Sequence, residues 1–206
     1  MTFSLQDLQN LARIPRLTLI NAITGFKSGN LVGSVGADGV PNLAIFSSAV
    51  HIGSAPPLLG IVTRPVDGDL KTTRHTYQNI QHSRFFTLNH VHESIVTAAH
   101  QTSASYPDGV SEFSAVGLTP QWNEGIAAPY VAEASIKMGL EYVEEYFIKA
   151  NNTILIIGKV LELILPDDCL DEQGNLDLQR AGTVALSGLD TYHRTEPIVR
   201  LPYARL

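Results

Sequence analysis

The sequence is poor in several things, and each shortage excludes something. Its one cysteine, Cys169, leaves no intramolecular disulfide and no thiolate metal cage. Charged residues make up only 17% of the chain against 44% apolar ones, a lean surface that suits a protein hiding part of itself in an oligomer. Positive charge is scarcer than negative, 14 Lys and Arg facing 20 Asp and Glu for a net −6, so a nucleic-acid backbone is an unfavourable partner. No apolar run approaches the roughly 20 residues of a membrane-spanning helix. The opening MTFSLQDLQNLARIPR carries acidic and amide residues where a signal peptide has an apolar core. These shortages exclude nucleic acid and membrane as partners and point to the cytoplasm. There is no Gly-x-Ser-x-Gly elbow to support serine hydrolysis. Gly33, Gly36 and Gly39 straddle a hairpin turn instead of opening a helix, so they form no dinucleotide fingerprint.

A chain of 206 residues can bury one generous core, and it shows no internal repeat and no flexible linker. One domain over 1–206 is expected, with an N-terminal helix or arm over 1–16, an ordered excursion over 101–130 and a C-terminal extension over 166–206. Ser4 and Asp7, with Leu5, Leu8 and Leu11 at three-residue spacing, predict a short capped helix closed by Ile14-Pro15. Beyond it come short apolar runs broken by turns. LTLINAI (17–23) reads as a strand ended by a GFKSGN loop (25–30). LVGSV (31–35) and VPNLAIF (40–46) read as a hairpin turned by Asp38-Gly39, with Pro41 at a strand start that tolerates its missing N–H. LLGIVT (58–63) and FFTLN (85–89) read as strands, with a helix over Thr76–His82 between them and another over 92–100. Ile136, Met138, Leu140 and Tyr142 alternate with Lys137, Gly139 and Glu141, the pattern of a half-buried strand. TILIIGKVLELIL (153–165) is apolar enough for a central barrel strand, and the tail with Gly174, Gly182 and Gly188 is turn-rich. Short strands with inserted helices favour a mainly β, closed antiparallel barrel over a doubly wound sheet.

Three groups of residues carry candidate chemistry. Arg74, His75, Thr76 and Asn79 stand at a helix start, where free N–H groups, the dipole, a hydroxyl and a guanidinium suit a phosphate monoester; the plainer reading is a Thr cap on a surface helix. NLAIFSSAVH (42–51) ends a strand in Ser47-Ser48, small residues that let a flat ring approach the backbone, or simply a Ser-rich turn. Thr63 and Arg64 close a neighbouring strand, where Arg64 can reach an anion, though such termini are common on surfaces. A rival is a three-histidine metal site from His90, His92 and His100, with no Asp or Glu in ligand spacing beside them.

NLAIFSS, the strand ending in Thr63-Arg64-Pro65, RHTYQNI and FFTLNHV occur in the order and spacing of the flavin reductase-like family, and the chain resembles that family from about residue 17 to its end. QTSASYPDGVSEFSAVGLT (101–119) and VAEASIKMGLEYVE (131–144) are similar to its post-helix excursion and next strand, and GTVALSGLDTYHRTEPIVRLPYARL to the closing segment of one sub-branch. The resemblance implies an FMN-binding split β-barrel of Greek-key type with a few inserted helices. It implies that Ala44, Ile45, Phe46, Ser47 and Ser48 line the flavin ring, that Arg74, Thr76 and Asn79 hold the phosphate, with His75 where the family often has Asp, and that Thr63 and Arg64 line the ribityl side. Asn89 would end a supporting strand, and Lys27 would stand near the flavin's N1/O2 edge. A homodimer with flavin sites completed across the interface is implied as well.

One departure bears on the reaction. Where NADH- or NADPH-dependent members tend to carry Gly-Asp-His ahead of the last long strand, this chain has Ala150-Asn151-Asn152-Thr153. Hydride transfer needs stacking rather than a protein acid or base, so the departure leaves reductase activity open. Three readings follow: an FMN-binding oxidoreductase of flavin reductase type, with NADH or NADPH as donor, hydride accepted at flavin N5 and an unassigned small-molecule acceptor; an FMN electron carrier with no pyridine-nucleotide site; and the His-based metal-binding barrel.

Overall fold

The computed structural model describes residues 1–64 and 75–205. Helix α1 (Leu5–Asn10) opens with the expected capping box: Ser4 Oγ accepts from Asp7 N, and the Asp7 carboxylate accepts from Ser4 N at 2.8 Å. The expected strand over 17–23 is not formed. Residues Arg13–Ala22 make helix α2 instead. Pro15 does not close a helix here but sits in the first turn of the next one, where an N–H would have no acceptor and the ring's fixed φ is helical. Asn21 then donates back to Leu17 O at 2.8 Å inside the helix.

Next come β1 (Lys27–Ser28), β2 (Asn30–Val35), β3 (Pro41–Phe46), β4 (Val50–Ser54), β5 (Pro57–Thr63), α3 (His75–Ser83) and β6 (Phe85–His90). A 3₁₀ turn at Glu93–Ile95 leads into α4 (Val96–Gln101), so the expected helix over 92–100 is divided. The excursion holds α5 (Glu112–Val116), β7 (Pro120–Gln121) and β8 (Tyr130–Val131). The chain continues through β9 (Lys137–Ile148), β10 (Thr153–Ile164), β11 (Ala185–Ser187) and β12 (Thr191–His193).

Seven strands form one antiparallel sheet in the order β3-β2-β6-β9-β10-β5-β4. The expected hairpin is there, Asn30 facing Phe46 through to Val35 facing Pro41, with Gly39 at φ 74° in the turn. The end strands β3 and β4 are consecutive in the chain, so the sheet's two ends meet at Ser47–Ala49 and curl it into a barrel. At this seam Ser48 Oγ donates to Val62 O at 2.9 Å and accepts from Val62 N at 3.2 Å, doing with a side chain what a ladder would do with backbone. The barrel interior packs Val32, Ile61, Phe86, Leu88, Leu140 and Ile156. A second cluster on the other face of β2 and β3 packs Leu31, Leu43, Ile95 and Phe113 under α4 and α5.

Strand β10 lies between β9 and β5 and pairs with both, the central place its composition predicts. Strand β9 is more enclosed than a half-buried pattern allows. Ile136, Met138 and Leu140 face the interior, but Lys137 and Gly139 are buried too, because the excursion lies over the outer face. Lys137 Nζ donates to Gln121 Oε1 at 2.7 Å and Ala132 O at 3.0 Å, and burial lowers its pKa. Residues 27–28, expected in a loop, join β11 and β12 in a small separate sheet. No described helix is long and apolar enough to cross a membrane.

Candidate functional site

The candidate site forms where α3 leans on the β2–β3 hairpin. Thr76 is the second residue of α3, and Asn79 lies one turn on, so both side chains leave the helix on one face. That face meets Ser34 of β2 and Asn42 of β3. Asn42 Nδ2 donates to Thr76 Oγ1 at 3.2 Å and lies 3.4 Å from Ser34 Oγ, while Asn79 Nδ2 donates to Ser34 Oγ at 3.2 Å. All four residues are buried. Gly36, in the hairpin turn, lets the amide come close: a Cβ there would stand 2.7 Å from Asn79 Oδ1. On its other side α3 is clamped to β9, where Glu145 accepts from Tyr77 Oη at 2.9 Å and Gln81 Nε2 at 2.7 Å. Burial and the Glu145 carboxylate push the Tyr77 phenol up to about 12.

A cavity of about 460 Å³ opens beside this network, lined by the hairpin turn, by His75, Gln78 and His82 of α3, and by 108–110 of the excursion. His75 Nε2 lies 3.0 Å from Asp108 Oδ1. The carboxylate that His75 removes from the helix start is thus returned by a residue 33 positions away.

The other candidates have varied settings. Ala44, Ile45 and Phe46 continue β3 beyond Asn42; Phe46 packs on the barrel interior and Ile45 on the second cluster. β3 is an edge strand, and the first part of its free edge is taken: Glu112 Oε2 accepts from Leu43 N at 3.0 Å, and Ser111 Oγ donates to Pro41 O at 2.5 Å. The stretch from Ala44 to Ser47 lies past those tethers, while the Ser48 hydroxyl is engaged at the seam. Thr63 is buried at the end of β5 opposite Ile154, and Arg64 follows it, exposed. Arg74 falls outside the described residues.

Two candidates are used elsewhere in the fold. Lys27 Nζ donates to Asn21 O and to Gly188 O, both at 3.1 Å, pinning the end of α2 to the β11–β12 turn. Asn89 is fully buried in β6; its amide donates to Leu31 O at 3.0 Å and Thr87 Oγ1 at 2.9 Å, and its Oδ1 accepts from Val131 N at 2.9 Å. It fastens the excursion to the barrel. The three histidines of the metal reading are not brought together. His90 Nδ1 meets Thr183 Oγ1, His92 Nε2 meets Glu133 O and His100 Nδ1 meets Tyr192 Oη, and no group of metal-binding side chains is assembled among the described residues.

The donor set fits a phosphate monoester. It consists of hydroxyl and amide groups at a helix start; Thr76 Oγ1 accepts from Asn42, so among the described bonds its own hydroxyl hydrogen is left for a ligand oxygen. The Asp108 carboxylate beside His75 adds an acidic group at this helix start. Sequence reading missed Ser34, Asn42, Glu145 and Asp108 as parts of this arrangement. Of these only Asn42 carried a local signal, a buried amide in an otherwise apolar strand.

The strand order β3-β2-β6-β9-β10-β5-β4, with a helix inserted beside the open edge of β3, defines the class as a split β-barrel. The chain belongs to that class by sequence as well: residues 23–183 match the flavin reductase like domain family, and the chain is a member of it. Among solved structures, it is similar to a split barrel domain protein from Shewanella frigidimarina NCIMB 400, itself an inferred flavin reductase. The two are 41% identical with a TM-score of 0.93 over 99% of this chain and 100% of that one. Nitrilotriacetate monooxygenase component B from Bacillus cereus shares the fold at 21% identity, TM-score 0.84, over 98% of each chain. So does flavoredoxin of Desulfovibrio vulgaris (Miyazaki F), at 21% identity, TM-score 0.76, over 99% of this chain and 98% of that one. The protein is therefore a flavin reductase-like split barrel and a flavin-related oxidoreductase at family level.

Proposed function

We propose that the protein binds FMN as a cytoplasmic homodimer and acts as a flavin reductase-type oxidoreductase supplied by NADH or NADPH. The observation that carries the cofactor is the Thr76–Asn42 contact, in which Thr76 Oγ1 accepts, so that among the described bonds its hydrogen is left for a ligand at the start of α3, beside the strand that would face the ring. In this reading Arg74, His75, Thr76 and Asn79 surround the phosphate, and Ala44 to Ser48 present backbone and small side chains to the isoalloxazine edge. Thr63 and Arg64 border the ribityl chain. Lys27 and Asn89 act from a distance, Lys27 by fixing the N-terminal helices and Asn89 by fixing the excursion. Bound FMN would supply hydride acceptance at N5 and onward electron transfer. The protein's part is to bind, orient and shield, since the step needs no protein acid or base.

Titration of the purified protein with FMN tests the cofactor. The double variant Arg74→Ala, Thr76→Ala is expected to lose affinity at least tenfold, and unchanged affinity overturns the phosphate assignment. Fast oxidation of NADH or NADPH with FMN present supports the reductase reading. A second reading, an FMN electron carrier, is favoured by the β9–β10 turn, where Ala150-Asn151-Asn152, with Asn152 at φ 55°, stands in place of a histidine-bearing run. FMN binding without nucleotide oxidation selects the carrier.

A further inference from the structure

Both terminal segments of the chain are largely exposed. Helices α1 and α2 bury no side chain. On α2, Ile14, Leu17 and Ile20 recur every third residue and are exposed, Ile14 at 62% and Ile20 at 42%. Helices of 6 and 10 residues are shorter than the roughly 12–15 at which an isolated helix becomes marginal in water, so this pair needs a packing surface. The tail after β12 forms no helix or strand among the described residues and carries Ile198 and Tyr203, 100% and 87% exposed.

The two arms leave the body at one place. The β1–β11–β12 sheet holds both, with Lys27 bridging Asn21 O to Gly188 O and the Phe26 ring 4.8 Å from the His193 ring, edge to face. Arg194 pairs with Glu93 just beyond. The arms are therefore aimed, not loosely tethered.

The barrel has an uncovered face of its own. Residues opposite each other in an antiparallel pair share a face. Val50 opposite Gly60 and Ile157, and Tyr146 opposite Leu155 and Val62, therefore lie on one outer face across β4, β5, β10 and β9, with Gly60 and Ile157 buried at its centre and Val50 and Tyr146 exposed at its edges. Gly60 makes it continuous: Leu155, Val50 and Ile52 close over the place of its missing Cβ at 2.9, 3.2 and 3.3 Å. Val50, Ile52 and Tyr146 are each more than 40% exposed. Charge separates the two surfaces. Between Asp7 and Asp38 the only charged residues are Arg13, Arg16 and Lys27, while the outer face of the barrel exposes Glu144 of β9 and, beside it, Glu141 set opposite Lys159 of β10.

We infer that this protein dimerises by exchanging its terminal arms, the α1–α2 pair and the C-terminal tail of one copy lying on the outer β4–β5–β10–β9 face of the other. A second copy is the occupant because one chain carries both halves of the match, apolar stripe to apolar sheet and the Arg13–Arg16 end of the arm to Glu144 at the sheet margin, and two-fold symmetry then satisfies both faces at once. The inference rests on the homodimer proposed above and adds which surfaces meet.

Light scattering on the full-length protein at micromolar concentration, with and without FMN, should give a dimer in both cases. The arm variant Leu17→Glu, Ile20→Glu and the face variant Val50→Glu, Tyr146→Glu should each run as monomers with the wild-type β circular dichroism, since both replace exposed side chains. Mixing the two monomeric variants then decides the geometry. In an exchanged dimer the intact arms of the face variant meet the intact face of the arm variant, so mixing restores a heterodimer. If arms pack on arms and faces on faces, the mixture stays monomeric and arm exchange is overturned while the dimer survives. A wild-type monomer, or variants that still dimerise alone, overturns it as well. FMN titration of the same samples reads the flavin assignment independently.

Discussion

Ser48 and Val62 exchange two hydrogen bonds through a single hydroxyl, which donates to the carbonyl and accepts from the N–H of the same residue 14 positions on. This closes the barrel at the one place where the sheet's first and last strands pass into each other. Ser48→Ala leaves both backbone groups of Val62 without that partner, and a half-buried orphaned group costs about 1–3 kcal/mol. Urea unfolding should therefore show a loss of about 2 kcal/mol in the variant. A loss under 0.5 kcal/mol would mean that water replaces the hydroxyl without penalty. Because Ser48 also lies in the stretch proposed to face the ring, the measurement is made without flavin.

Asn89 allows a sharper separation between scaffold and site. Its three bonds reach β2, β6 and β8, and all are buried. Asn89→Leu should lower stability by about 2–4 kcal/mol, the range for breaking a buried polar network. The same variant should keep FMN affinity within a few fold wherever enough folded protein remains. Loss of affinity at full stability would instead make Asn89 a direct flavin contact.

These two residues show what the sequence could and could not disclose. The hairpin was legible because Asp38-Gly39 and the flanking apolar runs are neighbours in the chain, and β10 because its composition alone demands burial. Helix α2 was not, since Ile14-Pro15 ends a helix or begins one depending on where the first turn falls, and no capping residue marks that turn, Ala12 standing at the N-cap with no side-chain bond. Lys137 was read as solvent-facing because strand alternation says nothing about a segment that returns to cover the outer face. Of the site, Thr76 and Asn79 were legible from the helix-start pattern. Their partners Ser34 and Asn42 were not, being 45 and 34 positions distant from the groups they bind.

The His75–Asp108 contact gives a prediction with a sign. Asp108 places negative charge at the helix start proposed to hold a phosphate, and its side chain is largely exposed. Exposed charge pairs are worth about 0.2–1 kcal/mol, so Asp108→Asn should tighten FMN binding by up to about fivefold at low ionic strength. The gain should shrink as salt rises and should be absent for riboflavin, which lacks the phosphate. Equal tightening of riboflavin would show that Asp108 acts through the excursion's fold and not through charge.

His90 links stability to pH. Burial lowers its pKa from 6.5 to about 4, so the imidazole stays neutral in the folded chain where the unfolded chain would be protonated. Between those two values the unfolded state binds the extra proton, and stability therefore falls as pH drops from about 6.5 towards 4. Above that window neither state is protonated and below it both are, so the contribution is flat at either end. The full shift corresponds to roughly 3 kcal/mol at 1.36 kcal/mol per pH unit. His90→Gln keeps a partner for Thr183 Oγ1 but cannot titrate. Urea unfolding of both proteins at pH 7.5 and pH 4.5 should show a smaller stability loss in the variant. Equal losses in the two proteins would mean that His90 takes up its proton without leaving the fold.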